Sequence, residues 1–307
     1  MSSIAVIDIG SNSIKVLVAA RAGGDRLTAR MLRTIEARIG AGLSQNPPRL
    51  AADSMARGVA AVAELAAEAS TLNPDTTLVV ATSAVRDAVN GVDFCAQVRA
   101  ATGLTVRILS GQEEANLIGQ GLLCDPLLGD LRDFYLFDLG GGSLEILSFR
   151  ERKIVQSASL PLGCVRLTEK FLPDPTEPFE AGAGAAIAAH VHAVIADAHF
   201  SLVAQAAAIG TGGTLTVVRA VLGARSGLAA EQVPPRLEVA QLRDLLARIG
   251  PLPLTARKQV AGLPPARADV FPAALATLIA VADLGGFDAF QYSSYNLRWG
   301  LAAEALR

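Results

Sequence analysis

Short apolar runs alternate along the chain with longer Ala-rich segments of helical spacing, which is the pattern of an α/β protein. The first two apolar runs, Ile4–Ile9 and Ile14–Ala19, are predicted as strands that the turn Gly10–Ser13 joins into a hairpin. A third strand is predicted within Arg26–Ile35. The elements that follow are predicted helices over Leu50–Ala69, Val92–Ala101 and from Ser110 through Leu123, and strands over Thr76–Thr82 and Leu104–Leu109.

The same order of elements then restarts. Strands are predicted over Asp133–Leu139, Leu144–Phe149 and Ile154–Ser159, and the turn Gly140–Ser143 joins the first two. The remaining predicted elements are helices over Val165–Phe171 and Pro178–Ala198, a strand over Ala206–Ile209 that leads into the turn Gly210–Thr214 and a helix, and mainly helices from Val239 to a last one over Leu297–Leu306. Two halves that each begin with a hairpin indicate a duplicated unit.

The two hairpins carry nearly the same sequence, "IDIGSNSIKVL" at Ile7–Leu17 and "FDLGGGSLEIL" at Phe137–Leu147. Asp, Gly and Ser stand in register in the two copies, and duplicated units often face each other across a cleft. The segment Pro126–Asp133 is the natural linker between them. We therefore predict domains over residues 1–125 and 126–307, with the final helix able to pack back on the first domain.

Composition narrows the class of protein. The chain has 307 residues, of which 51% are hydrophobic, enough for a sizeable core and two domains. A net charge of −2 argues against nucleic acid or an anionic membrane as partner. The cysteines Cys95, Cys124 and Cys164 are scattered, so neither a disulfide framework nor zinc is expected. Without a long apolar run or a secretory signal at the start of the sequence, a cytoplasmic protein is predicted.

Three glycine-rich turns offer phosphate-binding chemistry. Gly permits a close backbone approach, and successive N–H groups in a turn form a nest for phosphate oxygens, as predicted for Gly10–Ser13 and Gly140–Ser143. The turn "GTGGT" at Gly210–Thr214 opens a predicted helix, whose N-terminus also favours phosphate. Each turn alone could be an ordinary tight connection. Three of them, two within a repeat, favour binding of a polyphosphate or a nucleotide.

Carboxylates flank the second hairpin turn. Asp138 and Glu145 stand on the two strands that it connects, whereas the first hairpin has Asp8 and Lys15 at the matching positions. Two oxygen ligands beside a phosphate nest suit Mg²⁺, which takes few carboxylates and fills its remaining positions with water and phosphate oxygens. A solvated hairpin rim is the alternative. We predict Asp138, Glu145 and Asp8 as metal ligands, with Mg²⁺ as the ion and Mn²⁺ as a possible substitute.

At this point the residues resemble a known family, the Ppx/GppA family of exopolyphosphatases and guanosine pentaphosphate phosphohydrolases. The resemblance implies the fold of actin, Hsp70 and the sugar kinases, an α/β fold of two duplicated domains (ribonuclease H-like) with an interdomain cleft. The matching segments, in chain order, are "AVIDIGSNSIK", "ATSAVRDA", "LSGQEEA", "DLGGGSLE", "LPLGCVRLTE", "GTGGT", "GLPPARADVFPAAL" and "YNLRWG".

The resemblance also implies roles for single residues. Glu114 is similar to the family's catalytic carboxylate that activates water, and Arg86 to a phosphate ligand. The two hairpin turns resemble facing phosphate loops, and Gly212 with Gly213 matches a turn that lies near a nucleoside in related proteins. The predicted phosphate-binding residues are Gly10, Ser11, Asn12, Ser13, Gly140, Gly141, Gly142, Ser143, Gly212 and Gly213.

The residues leave one ambiguity at the predicted catalytic position. Ser110 precedes Glu113 by the spacing of a capping box, and acidic residues are favoured at a helix N-terminus in any case. Glu113 and Glu114 could therefore both be structural. The resemblance favours the catalytic interpretation for Glu114, with Glu113 either supporting it or facing the helix exterior.

The predicted function is hydrolysis of the terminal phosphoanhydride of inorganic polyphosphate, releasing orthophosphate. A preference for short chains is expected, because no dense Lys/Arg run is present and the family's extra C-terminal domain is not found. The alternatives are guanosine pentaphosphate (pppGpp) phosphohydrolase, a sugar or acetate-type kinase, and a non-catalytic nucleotide-sensing or actin-like regulator. A homodimer is possible.

Overall fold

A computed structural model of the chain describes residues 2–22, 26–42, 45–203 and 206–306. It divides into two compact units. The first comprises Met1–Asp130 together with Tyr295–Arg307, and the second comprises Leu131–Ser294. None of the described helices has both the length and the apolar character that crossing a bilayer requires.

The first unit is built on a five-stranded mixed sheet of order β3-β2-β1-β4-β5. The first three strands form an antiparallel meander, and β4 and β5 add to it in parallel. Every residue of β1 is buried, so this strand has a continuous apolar run rather than an alternating one. The strands are β1 Ser3–Ile9, β2 Ile14–Ala22, β3 Arg26–Ile35, β4 Thr76–Ala81 and β5 Val106–Ile108.

The described residues of the first unit form five α-helices. They are α1 Ala52–Ser70, α2 Ser83–Asp87, α3 Gly91–Thr102, α4 Gly111–Leu122 and, at the end of the chain, α11 Leu297–Ala305. Apolar side chains of α1 and α3, such as Val62, Leu65 and Phe94, pack in one cluster with the inward residues of β1 and β2. The helix α11 packs against α4 and against β1 and β2.

The contact between α4 and α11 is made by backbone against backbone. A Cβ atom at Gly121 would lie 2.0 Å from the carbonyl oxygen of Asn296, and one at Gly300 would lie 1.9 Å from that of Leu117. Only glycine permits helices to approach this closely. The final helix is thereby part of the first unit.

The second unit repeats this topology and extends it. Its six-stranded sheet has the order β10-β11-β9-β6-β7-β8, in which β8-β7-β6-β9 corresponds to β3-β2-β1-β4 of the first unit. The meander β6–β8 is antiparallel, and β9 and then β11 pair in parallel. The strands are β6 Phe134–Leu139, β7 Leu144–Arg150, β8 Lys153–Leu160, β9 Ala207–Thr211, β10 Arg236–Glu238 and β11 Ala289–Tyr292. This confirms the predicted duplication of an α/β unit.

In the part of the second unit that the structure describes, six α-helices accompany the sheet. They are α5 Cys164–Phe171, α6 Ala181–Asp197, α7 Gly213–Ser226, α8 Val239–Ile249, α9 Leu254–Arg257 and α10 Phe271–Gly285. The helix α10 is buried almost throughout its length and contacts α5, α6, α7 and α8. Its nearly uniform apolar sequence follows from this central position.

The structure differs from the sequence-based expectation in its short elements and in its division. The helix α2 and the strands β10 and β11 are not predicted, because runs of three to five residues carry no readable period. The first unit extends beyond residue 125, since Asp125 caps a 3₁₀ turn at Pro126–Leu128 and Leu128 is buried. The last residues are grouped with the first unit, and α11 packs against α4, β1 and β2, which is the packing that the predicted division allowed for the final helix.

Candidate functional site

The first glycine turn is a tight, buried connection between β1 and β2. The N–H of Gly10 donates to the carbonyl oxygen of Ser13 over 3.2 Å, and Ser11, Asn12 and Ser13 are all buried. Asp8 and Lys15 are cross-strand partners just behind the turn. A backbone this constrained presents its groups in a fixed arrangement, as a phosphate nest requires.

A segment that the sequence did not single out supports this turn from outside. The N–H of Arg38 donates to the carbonyl oxygen of Asn12, and that of Gly40 to the carbonyl oxygen of Ser11, each over 2.8 Å. A Cβ atom at Gly40 would lie 2.7 Å from Cβ of Ser11, so this approach needs glycine. Arg38 has a positive φ of 49°, an uncommon conformation for a side chain of its kind. Residues 36–40 therefore pack against the turn and stabilise its backbone through hydrogen bonds.

The predicted catalytic pair is assembled in the first unit. Nη1 of Arg86 lies 2.7 Å from Oε2 of Glu114 and also donates to the carbonyl oxygen of Leu109 over 3.1 Å. Glu114 is only 6% exposed. A buried carboxylate of this kind needs a charged or hydrogen-bonding partner, which Arg86 provides. Arg86 also lies 3.5 Å, Nε to Oδ1, from the carboxylate of Asp87.

Parallel pairing brings Arg86, Glu114 and the first turn to one edge of the sheet. The strands β1, β4 and β5 run in the same direction, so their carboxyl ends lie together. The N–H of Thr82 donates to the carbonyl oxygen of Ile9, which links the start of α2 to the end of β1. The turn Gly10–Ser13, Arg86 on α2 and Glu114 on α4 are all at this edge, where α/β sheets commonly bind ligands.

The two adjacent glutamates of α4 have separate roles. Ser110 and Glu113 form a complete capping box, with the Ser110 hydroxyl on the Glu113 N–H and the Glu113 carboxylate on the Ser110 N–H. The hydrogen bond from Arg107, together with those from Ser110, lowers the pKa of the exposed Glu113 to about 2. Glu113 is thus engaged in capping the helix on its outer side, whereas Glu114 is buried beside Arg86.

The second glycine turn directs its carbonyl groups toward α5. The N–H groups of Cys164 and Val165 donate to the carbonyl oxygens of Gly140 and Gly141 over 3.0 and 2.8 Å, and Nε of Arg166 donates to that of Gly142. Among the described residues, no backbone carbonyl accepts from the N–H groups of Gly141, Gly142 or Ser143. The N–H of Gly140 donates to the carbonyl oxygen of Ser143 over 3.0 Å, and phosphate binding by the other three amides stays a prediction.

Asp138 and Glu145 form a cross-strand pair at the base of the second turn. Directly paired residues place their side chains on the same face of a sheet. Both carboxylates are buried, and Glu145 accepts a hydrogen bond from the hydroxyl of Ser159 over 2.7 Å. Two buried carboxylates side by side fit a divalent cation that completes its shell with water or phosphate oxygens.

The described residues contain no group of three or more His, Cys, Asp and Glu side chains that could hold a metal ion. That the Asp138–Glu145 pair binds a metal ion stays a prediction. Asp8 occupies the corresponding strand position in the first unit, and its role as a ligand stays a prediction.

The third turn lies against this carboxylate pair. Gly212 has a φ of +91°, and a Cβ atom there would lie 2.4 Å from Oδ1 of Asp138, so glycine is required on both counts. Gly213 begins α7, and a Cβ atom there would meet the guanidinium of Arg267 at 2.2 Å. The turn thus sits between a carboxylate and a guanidinium. Its predicted proximity to a nucleoside stays a prediction.

Comparison with known proteins identifies the family of the chain. The model of the Ppx/GppA phosphatase family matches residues 17–307. The exopolyphosphatase of Cytophaga hutchinsonii has the same fold, with a TM-score of 0.87, 21% identity, and coverage of 99% of this chain and 98% of that one. The Aquifex aeolicus PPX-GPPA enzyme matches with a TM-score of 0.78, 22% identity, and coverage of 99% of both chains. The chain belongs to the Ppx/GppA phosphatase family and is a phosphoanhydride hydrolase.

Proposed function

We propose that the chain is a Mg²⁺-dependent exopolyphosphatase that removes orthophosphate from the end of short inorganic polyphosphates. The observation that carries this proposal is the buried Glu114, paired with Arg86 at the sheet edge where the first glycine turn also lies. A carboxylate in this position can act on water while a guanidinium beside it binds phosphate oxygens. The relatives named exopolyphosphatase support the choice of substrate.

The reaction needs an attacking water, a base and neutralisation of phosphoryl charge. Glu114 accepts a proton from the water as its oxygen forms a bond to the terminal phosphorus. The bond from that phosphorus to the bridging oxygen breaks, and the shortened chain leaves with the bridging oxygen. A guanidinium has five N–H donors, so Arg86 can hold Glu114 in place and bind a terminal phosphate oxygen at the same time.

The amides of the glycine turns bind the remaining phosphate oxygens in this proposal. Fixed N–H dipoles stabilise the charge that develops in the transition state without having to reorganise. Asp138 and Glu145 would hold the divalent cation, which neutralises phosphate charge and acts as a Lewis acid when bound. That the two hairpin turns act on the same substrate end stays a prediction.

The test is orthophosphate release from tripolyphosphate, longer polyphosphates, pppGpp and ATP, measured with and without Mg²⁺. The proposal expects Mg²⁺-dependent release, fastest per chain end on short polyphosphate. Release mainly from pppGpp would instead establish the guanosine pentaphosphate phosphohydrolase. Absence of release from every substrate by a folded protein would contradict hydrolysis of these substrates and favour the nucleotide-sensing regulator.

A further inference from the structure

Of the two polar atoms of the Asn12 side-chain amide, only the nitrogen has a hydrogen-bond partner among the described residues. Its Nδ2 donates to Oε2 of Glu36 over 2.9 Å. Its Oδ1 is buried and has no hydrogen-bond partner among the described residues, and the whole residue is only 5% exposed. A buried amide oxygen without a partner is uncommon and calls for an explanation.

Glu36 determines the orientation of the Asn12 side-chain amide. A carboxylate oxygen only accepts hydrogen bonds, so the atom of Asn12 that faces it must be the nitrogen. The amide oxygen must then occupy the opposite end. The orientation of the amide therefore follows from the chemistry of the pair.

Hydrogen bonds fix the main chain of the turn at Asn12. The carbonyl of Asn12 accepts from Arg38, and that of its neighbour Ser11 accepts from Gly40. Glu36 belongs to the same segment, which reaches Asn12 through both backbone and side chain. The amide oxygen is therefore held within the phosphate-binding turn, with its acceptor capacity unused by the described residues.

An unused acceptor in a phosphate-binding turn cannot serve a phosphate oxygen, because phosphate oxygens are themselves acceptors. Its natural ligand is an O–H donor. We propose that Glu36 is a positioning residue that orients Asn12 so that Oδ1 accepts a hydrogen bond from a water of the reaction. This water is the one that attacks the terminal phosphorus. This inference rests on the proposed hydrolysis. It also revises the expected role of Asn12, which is predicted from the sequence to donate a hydrogen bond to phosphate.

The test reverses the polarity of the pair. Asn12→Asp alone sets two carboxylates against each other and should lower kcat about 10- to 100-fold, as the loss of outer-shell partners commonly does. In the double variant Asn12→Asp with Glu36→Gln, the glutamine amide can donate to one aspartate oxygen. The other oxygen then replaces Oδ1 as acceptor. The proposal expects kcat of the double variant to recover to within a few-fold of wild type, with KM for tripolyphosphate little changed.

Glu64→Gln is the matched control, since Glu64 is an exposed carboxylate whose removal should change neither constant. Circular dichroism and the melting temperature show whether each variant is folded. A folded double variant that remains as slow as Asn12→Asp would overturn the proposal. It would show that Asn12 acts through an N–H, which aspartate cannot replace.

Two further readouts keep the test independent of turnover. Mn²⁺ binding, followed by electron paramagnetic resonance, should be the same in wild type and in both variants, because Asn12 acts on the attacking water. A change in Mn²⁺ binding that follows kcat across the variants would contradict this role. Should wild type release no phosphate, the thermal shift given by tripolyphosphate is compared between the two variants. A shift that is reduced in Asn12→Asp and restored in the double variant supports the acceptor role, and a shift that stays reduced in the double variant overturns it.

Discussion

At the scale of the residue, neighbouring positions of the same type have different tasks. Glu113 and Glu114 are adjacent, yet one caps α4 at the surface and the other is buried against Arg86. The capping box was predictable from spacing alone. The burial of Glu114 was not, because it depends on α2, a helix too short to give a sequence pattern. The family resemblance, rather than periodicity, made Glu114 the candidate.

Glu113 gives a pH prediction. Its pKa is lowered from 4.5 to about 2 in the folded chain, so its hydrogen bonds stabilise the fold fully above about pH 4.5. That contribution is lost as pH falls through the folded value near 2. We expect Glu113→Gln to lower the melting temperature at pH 6, and the difference from wild type to shrink between about pH 4.5 and 2. A difference that is the same at both ends would contradict the assigned pKa.

The carboxylate pair of the second unit gives a metal prediction. Asp138→Asn and Glu145→Gln each replace a charged oxygen ligand by a neutral amide, so the Mg²⁺ concentration for half-maximal activity should rise. An increase of at least about tenfold is expected, the lower end of what loss of outer-shell partners costs. Glu64→Gln serves as the exposed control. Full activity of wild type in excess chelator would exclude a metal role for this pair.

At the scale of the element, the two hairpins and their meanders follow directly from the sequence. Their strands are long, buried and separated by glycine turns, so the apolar runs and the turn residues predict the same strand boundaries. The strand β11 and the crossing of α4 with α11 do not follow. β11 has only four residues, too few for a readable pattern. The crossing joins positions far apart in the chain through two glycines, and a single glycine within a helix does not predict a helix contact.

The close contact between α4 and α11 can be tested by adding a methyl group at the crossing. Gly300→Ala would put a methyl group 1.9 Å from the carbonyl oxygen of Leu117, so α11 must shift away from α4. We expect the free energy of unfolding to fall by about 1–3 kcal/mol, the usual cost of overpacking. Gly182→Ala is the control. Its Cβ atom would meet nothing within 4 Å on α6, so helix propensity should stabilise that variant slightly. Equal melting temperatures for the two variants would rule out the tight crossing.

At the scale of the whole molecule, charge bears on the length of the substrate. The net charge is −2, and the sequence shows no dense run of Lys and Arg to follow a long polyanion. Local groups such as Arg86 and the turn amides are suited to a few terminal phosphates. We expect distributive action, in which intermediate lengths accumulate on a gel and the rate per chain end does not rise with length. Complete degradation of long chains without intermediates would show that action is processive.

The most direct test of the account compares the two adjacent glutamates as single variants. Orthophosphate release from tripolyphosphate is measured at neutral pH with saturating Mg²⁺ for wild type, Glu114→Gln and Glu113→Gln. Loss of a general base typically costs about 10²–10⁴ in rate, and the Glu114 variant should lose this much while still binding the substrate. The Glu113 variant should keep nearly all turnover, because Glu113 caps the helix on its exposed side. Near-normal release by Glu114→Gln, or an equal loss in both variants, would contradict the account.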